Sequence, residues 1–147
     1  MKQVTNRMEI SFPSYSVNER FARSAVSAFL LGLDPLVSDM NDLKTAVSEA
    51  VTNVVVHAYG DSIGTVYIAA KIVEDDTVIV RIRDRGCGIP DIAKAMEPLY
   101  TTGGEERAGL GFAVMQSFCD KVSVRSTPQR GTTVTLTKRF ARKENGE

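Results

Sequence analysis

A change of hydrophobic period in the middle of the chain restricts its fold more than any other feature. From about Ser38 to Ala58, Leu43, Val47, Ala50, Val54 and Ala58 recur at helical spacing and mark one buried stripe. Beyond them the period becomes two. Val66, Ile68, Ala70 and Ile72 alternate with their neighbours, Glu74-Asp75-Asp76 turns the chain, and Val78, Val80 and Ile82 alternate again. Two such runs joined by a polar turn predict a hairpin. A long helix running into a hairpin argues against a doubly wound parallel fold, which needs a helix between most strands.

The flanking segments extend this pattern. Met8, Ile10 and Phe12 alternate and stop at Pro13, which predicts a short strand. Val17, Phe21, Ala25, Ala28 and Phe29 predict a helix from Val17 to Leu31, ended by Gly32 and by the break at Asp34-Pro35. Ser38 or Asp39 is suited to cap the long helix, and Asp39 and Asp42 suit its positive end. A short helix is expected near Asp91–Met96, then a polar, glycine-containing loop from Thr101 to Ala108 and a helix from Leu110 to Cys119. Two last strands, Val122–Val124 and Val134–Leu136, flank a turn around Pro128–Gly131. The order predicts an α+β fold: a two-layer sandwich whose antiparallel-rich mixed sheet carries its helices on one face. With 147 residues, no repeat and no linker, the chain reads as a single domain over 1–147 with a short disordered tail.

Composition closes off other classes. Eighteen basic residues balance eighteen acidic ones, so no bulk field favours nucleic acid or an anionic membrane. Cys87 and Cys119 lack C-x-x-C spacing, which leaves two reduced thiols rather than a zinc site or redox dithiol. No stretch approaches the ~20 apolar residues of a membrane span or resembles a signal peptide, so a cytoplasmic location is expected.

The polar residues of the long helix carry the chemistry. Glu49, Asn53 and His57 stand four apart. Four residues turn a helix about 40° past one full turn and rise ~6 Å, so they form one ridge in a segment otherwise filled by Ala and Val. The ridge either faces water or builds a site. An Asn oxygen is a hard, neutral ligand suited to Mg²⁺, with phosphates and water completing its shell. A Glu one turn away is placed to take a proton from an attacking hydroxyl, in a reaction where positioning dominates.

Three glycine segments follow. Asp84-Arg85-Gly86-Cys87-Gly88-Ile89-Pro90 puts a carboxylate at a strand end before two glycines, where a planar ligand can lie on backbone and give an exocyclic amine to Asp84. Gly109-Leu110-Gly111 is expected to open a helix and so to offer an anion site, with Thr101–Ala108 as a lid. Gly131-Thr132-Thr133 turns into a strand and can present a hydroxyl to the same planar ligand. Read singly, each is also an ordinary turn. Neither a Walker A loop nor a Rossmann glycine fingerprint is present.

Taken in order, the segments E-A-V-T-N-V-V-V-H-A, D-R-G-C-G-I-P, T-T-G-G, G-L-G-F and G-T-T resemble the GHKL ATPase superfamily of gyrase, Hsp90, histidine kinases and MutL. They run from about Ser48 to Leu136. Upstream, N-E-R-F-A-R at Asn18–Arg23 and the L-D-P run are similar to the bacterial anti-sigma regulatory kinases of that superfamily. The resemblance implies a GHKL (Bergerat) fold that binds ATP or ADP with Mg²⁺. It implies Asn53 as metal ligand, Glu49 as catalytic base and Asp84 on the adenine amine, with Thr133 nearby. Gly86, Gly88 and Ile89 would line base and sugar, and Thr101, Thr102, Gly109, Leu110 and Gly111 would close over the phosphates. It implies inhibition of a sporulation sigma factor in the ATP form, phosphorylation of a serine on a small anti-anti-sigma protein, and a homodimer, through the first strand and the sheet edge. Arg23 would contact protein partners. A stress-response sigma factor, or a nucleotide-gated binding module without transfer, are the alternatives. Gly103-Gly104 depart from the family's lid, where Lys and Pro often follow the Thr pair, and leave Arg107 as the candidate lid cation.

Overall fold

The structure is a computed structural model that describes residues 3–96 and 105–141, with residues 105–110 as backbone only. Strand β1 (Val4–Pro13) leads into helix α1 (Asn18–Leu30), a 3-10 turn at Leu31–Leu33, and helix α2 (Val37–Asn53), which continues as a π-helical segment over Val54–Ala58. The hairpin follows as β2 (Thr65–Val73) and β3 (Thr77–Arg83). Helices α3 (Ile92–Ala95) and α4 (Glu105–Phe118) then precede β4 (Lys121–Thr127) and β5 (Gly131–Arg139).

These five strands form one sheet in the order β1-β2-β3-β5-β4. All four pairings are antiparallel, which narrows the expected mixed sheet. The reason lies in the placement of β5: it returns from β4 by a tight turn and inserts between β4 and β3, so no parallel neighbours arise. Val66, Ile68, Ala70, Val78, Val80, Ile82, Val134 and Leu136 point to one side and are buried. Against them pack Ala22, Val26 and Leu30 of α1, Leu43, Ala46, Val47, Ala50 and Val51 of α2, and Phe112 and Met115 of α4. Helices thus cover one face, as an α+β sandwich requires.

Two local expectations change. The N-cap of α2 is Leu36, with no side-chain capping bond. Asp39 instead accepts a bond from the Ala141 backbone N–H at 3.1 Å and, with Asp42, lies 3.9 Å from the Lys138 ammonium, tying the start of α2 to the end of β5. Within α2, the uniform helix expected up to Ala58 widens to π geometry at Val54. Three successive β-branched valines, Val54–Val56, crowd an α-helical turn, and π segments are frequent at functional sites.

Candidate functional site

The end of β3 and the end of α2 meet at a cavity of about 480 Å³. Its walls are apolar where Ala50, Val54, Ile82, Phe112 and Val134 converge, and polar at Asn53, His57, Asp84, Thr132 and Lys94. That size and mixture suit a small organic ligand fixed by a few polar groups.

Asp84 is the most buried carboxylate of the site, at 6% exposure. It accepts the Gly86 backbone N–H at 2.9 Å and the Thr132 backbone N–H at 3.3 Å, both on Oδ1. Burial pushes its carboxyl up from the ordinary value, and these two donors pull it back in part. Neither bond uses Oδ2. Gly131 brings β5 this close: with φ of +125° its backbone passes Asp84 so tightly that a Cβ would stand 2.1 Å from the Asp84 carbonyl oxygen.

Gly86, Gly88 and Ile89 form the loop beside Asp84, and Gly88 and Ile89 line the cavity. Backbone groups dock this loop on its surroundings, the Cys87 carbonyl accepting the Gln129 N–H at 2.8 Å. The Cys87 N–H donates to the Ala58 carbonyl at 2.8 Å, a group at the end of the π segment, and the Ile89 N–H donates to Ser126 Oγ at 2.7 Å. Asn53 also lines the cavity, and its amide nitrogen is buried with no acceptor among the described residues. At Gly111 a Cβ would stand 3.3 Å from both amide atoms of Asn53 and 3.3 Å from Glu49 Oε2. The absent side chain leaves Asn53 and Glu49 facing the same backbone.

The structure therefore gathers Asn53, Asp84, Gly88 and Ile89 around one cavity, keeps Gly86 behind them on the Asp84 carboxylate, and sets Glu49 beside Asn53 at Gly111. Two expectations need correction. Thr133 does not approach Asp84: it lies across the sheet with Arg83 and Arg125, while Thr132 faces the cavity. Side chains alternate along a strand, and the inward Val134 and Leu136 already fix the even-numbered phase, so the pattern contained this answer. Gly109 and Gly111 do not open a helix either, because α4 begins at Glu105 and encloses them. Glu105, Glu106, Arg107 and Ala108 are good helix formers, with acids at the positive end. Thr101 and Thr102 lie outside the described residues, as does the side chain of Leu110. Lys94 and Phe112 are cavity residues that the sequence reading missed; nothing in their spacing singles them out.

Arg23 sits away from the cavity on α1. Its side chain pairs with Glu19 at 2.8 Å and remains 39% exposed, while Glu19 also accepts the Ser48 hydroxyl of α2. Both cysteines are free; Cys87 is at the cavity rim, and burial pushes the Cys119 thiol up to about 11, which keeps it protonated and inert at neutral pH. Among the described residues no three His, Cys, Asp or Glu side chains form a metal cluster, and no helix is long and apolar enough to cross a membrane.

Comparison with known proteins matches this geometry to a family. Residues 13–138 fit the model of the histidine kinase-like ATPase domain. The anti-sigma F factor of Caldanaerobacter subterraneus subsp. tengcongensis is 50% identical over 141 residues, covering 95% of this chain and 98% of that one. That of Bacillus subtilis is 45% identical over 139 residues, covering 93% and 94%. Among solved structures, the RsbU and RsbW domains of Rv1364c from Mycobacterium tuberculosis align with a TM-score of 0.71 at 25% identity, over 95% of this chain and 34% of that longer one. SiaB-SiaC of Pseudomonas aeruginosa aligns at 0.59 with 12% identity over 92% of this chain and 89% of that one, a likeness of fold alone. With the family model spanning most of the sequence and relatives this similar along nearly their whole length, the chain belongs to the anti-sigma F factor family of histidine kinase-like (GHKL) ATPases.

Proposed function

We propose that the chain is an ATP-dependent protein-serine kinase that also holds a sigma factor of the sporulation type, and that its nucleotide state selects the partner. The observation that carries the catalytic half is the meeting of Glu49 and Asn53 at Gly111, beside the cavity that contains Asp84. In this reading Asp84 Oδ2 takes the adenine amine, Thr132 stands beside it, and the apolar walls hold the ring. Asn53 fits Mg²⁺: its oxygen is a hard neutral donor, and its amide nitrogen is committed to no acceptor among the described residues. Bound there, Mg²⁺ would supply charge neutralisation for the phosphates.

Glu49 then does the proton work. It accepts the proton of the acceptor serine hydroxyl as the serine oxygen bonds to the γ-phosphorus, and the bond from that phosphorus to the bridging oxygen breaks to leave ADP. Products are phosphoserine, ADP and a proton on Glu49. Arg23 on α1 is proposed as a contact for the sigma factor and the anti-anti-sigma protein. A homodimer through β1 is proposed on the ground that β1 is an edge strand of the sheet.

Incubation with γ-labelled ATP, Mg²⁺ and a small anti-anti-sigma protein tests this. Serine labelling should occur, and should fall by about 10²-fold or more in Glu49→Ala while ATP binding persists. Equal labelling by that variant removes Glu49 as base. ATP binding without any transfer by the parent chain identifies a nucleotide-gated binding module instead.

A further inference from the structure

Ser126 occupies an inward position near the end of β4, opposite Thr132 in the β4–β5 register. A hydroxyl there must account for its one proton and two lone pairs. Its oxygen receives the Ile89 backbone N–H at 2.7 Å, lies 2.9 Å from Thr132 Oγ1, and reaches the Gly131 carbonyl at 3.2 Å. One atom thus joins the loop beside Asp84, the first residue of β5, and the hydroxyl that faces the cavity.

Two proton arrangements are open to this pair of hydroxyls, and only the first keeps the Gly131 bond. In the first, Ser126 donates to the Gly131 carbonyl and Thr132 donates to Ser126, so Thr132 shows only lone pairs to the cavity. In the second, Ser126 donates to Thr132, and the Thr132 proton turns toward the cavity. At 3.2 Å the Gly131 bond is longer than the usual O–H···O range of 2.5–3.0 Å, so exchanging it for a bond to a ligand acceptor costs little. We propose that Ser126 is a positioning residue for the base, holding the Ile89 loop in place and fixing the Thr132 hydroxyl so that it donates to a ring-nitrogen acceptor beside the amine held by Asp84. This rests on the ATP-site reading above. An acceptor at Asp84 with a donor at Thr132 matches the amine and ring nitrogen of adenine. Guanine in the same pose would set its carbonyl oxygen against the Asp84 carboxylate.

The test measures binding of ATP and GTP, by displacement of a fluorescent nucleotide, to the parent chain and to Ser126→Ala, Thr132→Val and the double variant. Amide hydrogen exchange at Ile89 is followed without ligand. Ser126→Ala should lower the ATP-over-GTP preference about tenfold, the scale of one neutral hydrogen bond, and speed exchange at Ile89. Thr132→Val should lower the preference by at least as much, and adding Ser126→Ala to it should change the preference no further. Ser126→Thr, which restores the hydroxyl, should recover both readouts, whereas Ser126→Val should not; this pair decides the matter if the alanine variant folds poorly. An unchanged preference in Ser126→Ala, or additive losses in the double variant, overturns the role of Ser126 while leaving the ATP site standing. Failure of the parent chain to bind ATP overturns both.

Discussion

Asp84 keeps a carboxylate where water barely reaches it, and the cost of that placement is measurable. Its carboxyl is raised, so its contribution to stability is fully present below the ordinary value of 3.8 and is lost as pH rises through the higher folded-state value. Asp84→Asn cannot ionise. Its melting temperature in the absence of nucleotide should therefore gain on that of the parent as pH rises from 3.5 to 7.5, while ATP affinity drops because the amide NH₂ opposes the adenine amine. A constant gap across that range contradicts the assigned burial cost. Gly111→Ala makes the complementary case. Alanine improves an interior helix position by roughly 1 kcal/mol, yet its Cβ would press on Asn53 and Glu49 at 3.3 Å. Unfolding in urea should show stability kept or raised, and serine transfer should fall at least tenfold. Glu49, Asn53 and Asp84 stand out in the sequence because acids and amides in apolar elements require a reason, and the structure brings Asn53 and Asp84 to one cavity with Glu49 beside Asn53. G-T-T offers two equivalent hydroxyls until the strand phase is applied, which turns Thr132 to the cavity and Thr133 across the sheet. Ser126 was invisible, since its partners at Ile89 and Gly131 are distant in sequence or lie on the backbone.

The elements meet through backbone as much as through side chains. The π segment ends in the Ala58 carbonyl that receives Cys87 N–H, and the β4–β5 turn brings Gly131 against Asp84. Gly131→Ala must relieve a 2.1 Å approach at a φ of +125°. It should cost on the order of 2–4 kcal/mol in urea unfolding and weaken ATP binding, because Thr132 moves with it. A loss under about 0.5 kcal/mol would contradict the close approach. Hydrophobic period read from sequence recovers the helix stripe and all five strands, since Leu43, Val47, Ala50, Val54 and Ala58 are buried as their spacing requires. It does not recover the π widening, the Leu36 cap or the early start of α4. Those depend on packing around Val54–Val56, on the tie from Asp39 to Ala141, and on four residues whose helical preference outweighs the glycines after them.

The helical layer carries Glu49 and Asn53 as well as the proposed partner residue. Arg23 reaches α2 through Glu19 and Ser48, and Ser48 precedes Glu49 in sequence. Arg23→Glu should therefore weaken capture of the anti-anti-sigma protein in a pull-down at least tenfold while leaving ATP binding within twofold. Equal loss of both would contradict a role confined to the partner surface. Whether the cavity between α2 and β3 is a Mg²⁺–ATP site is decided by calorimetric titration of ATP, with and without Mg²⁺, into the parent chain and Asn53→Ala. Mg²⁺ should tighten ATP binding to the parent chain, and Asn53→Ala should lose most of this gain. A parent chain that binds no ATP, or an Asn53→Ala variant that gains as much from Mg²⁺ as the parent, contradicts that site.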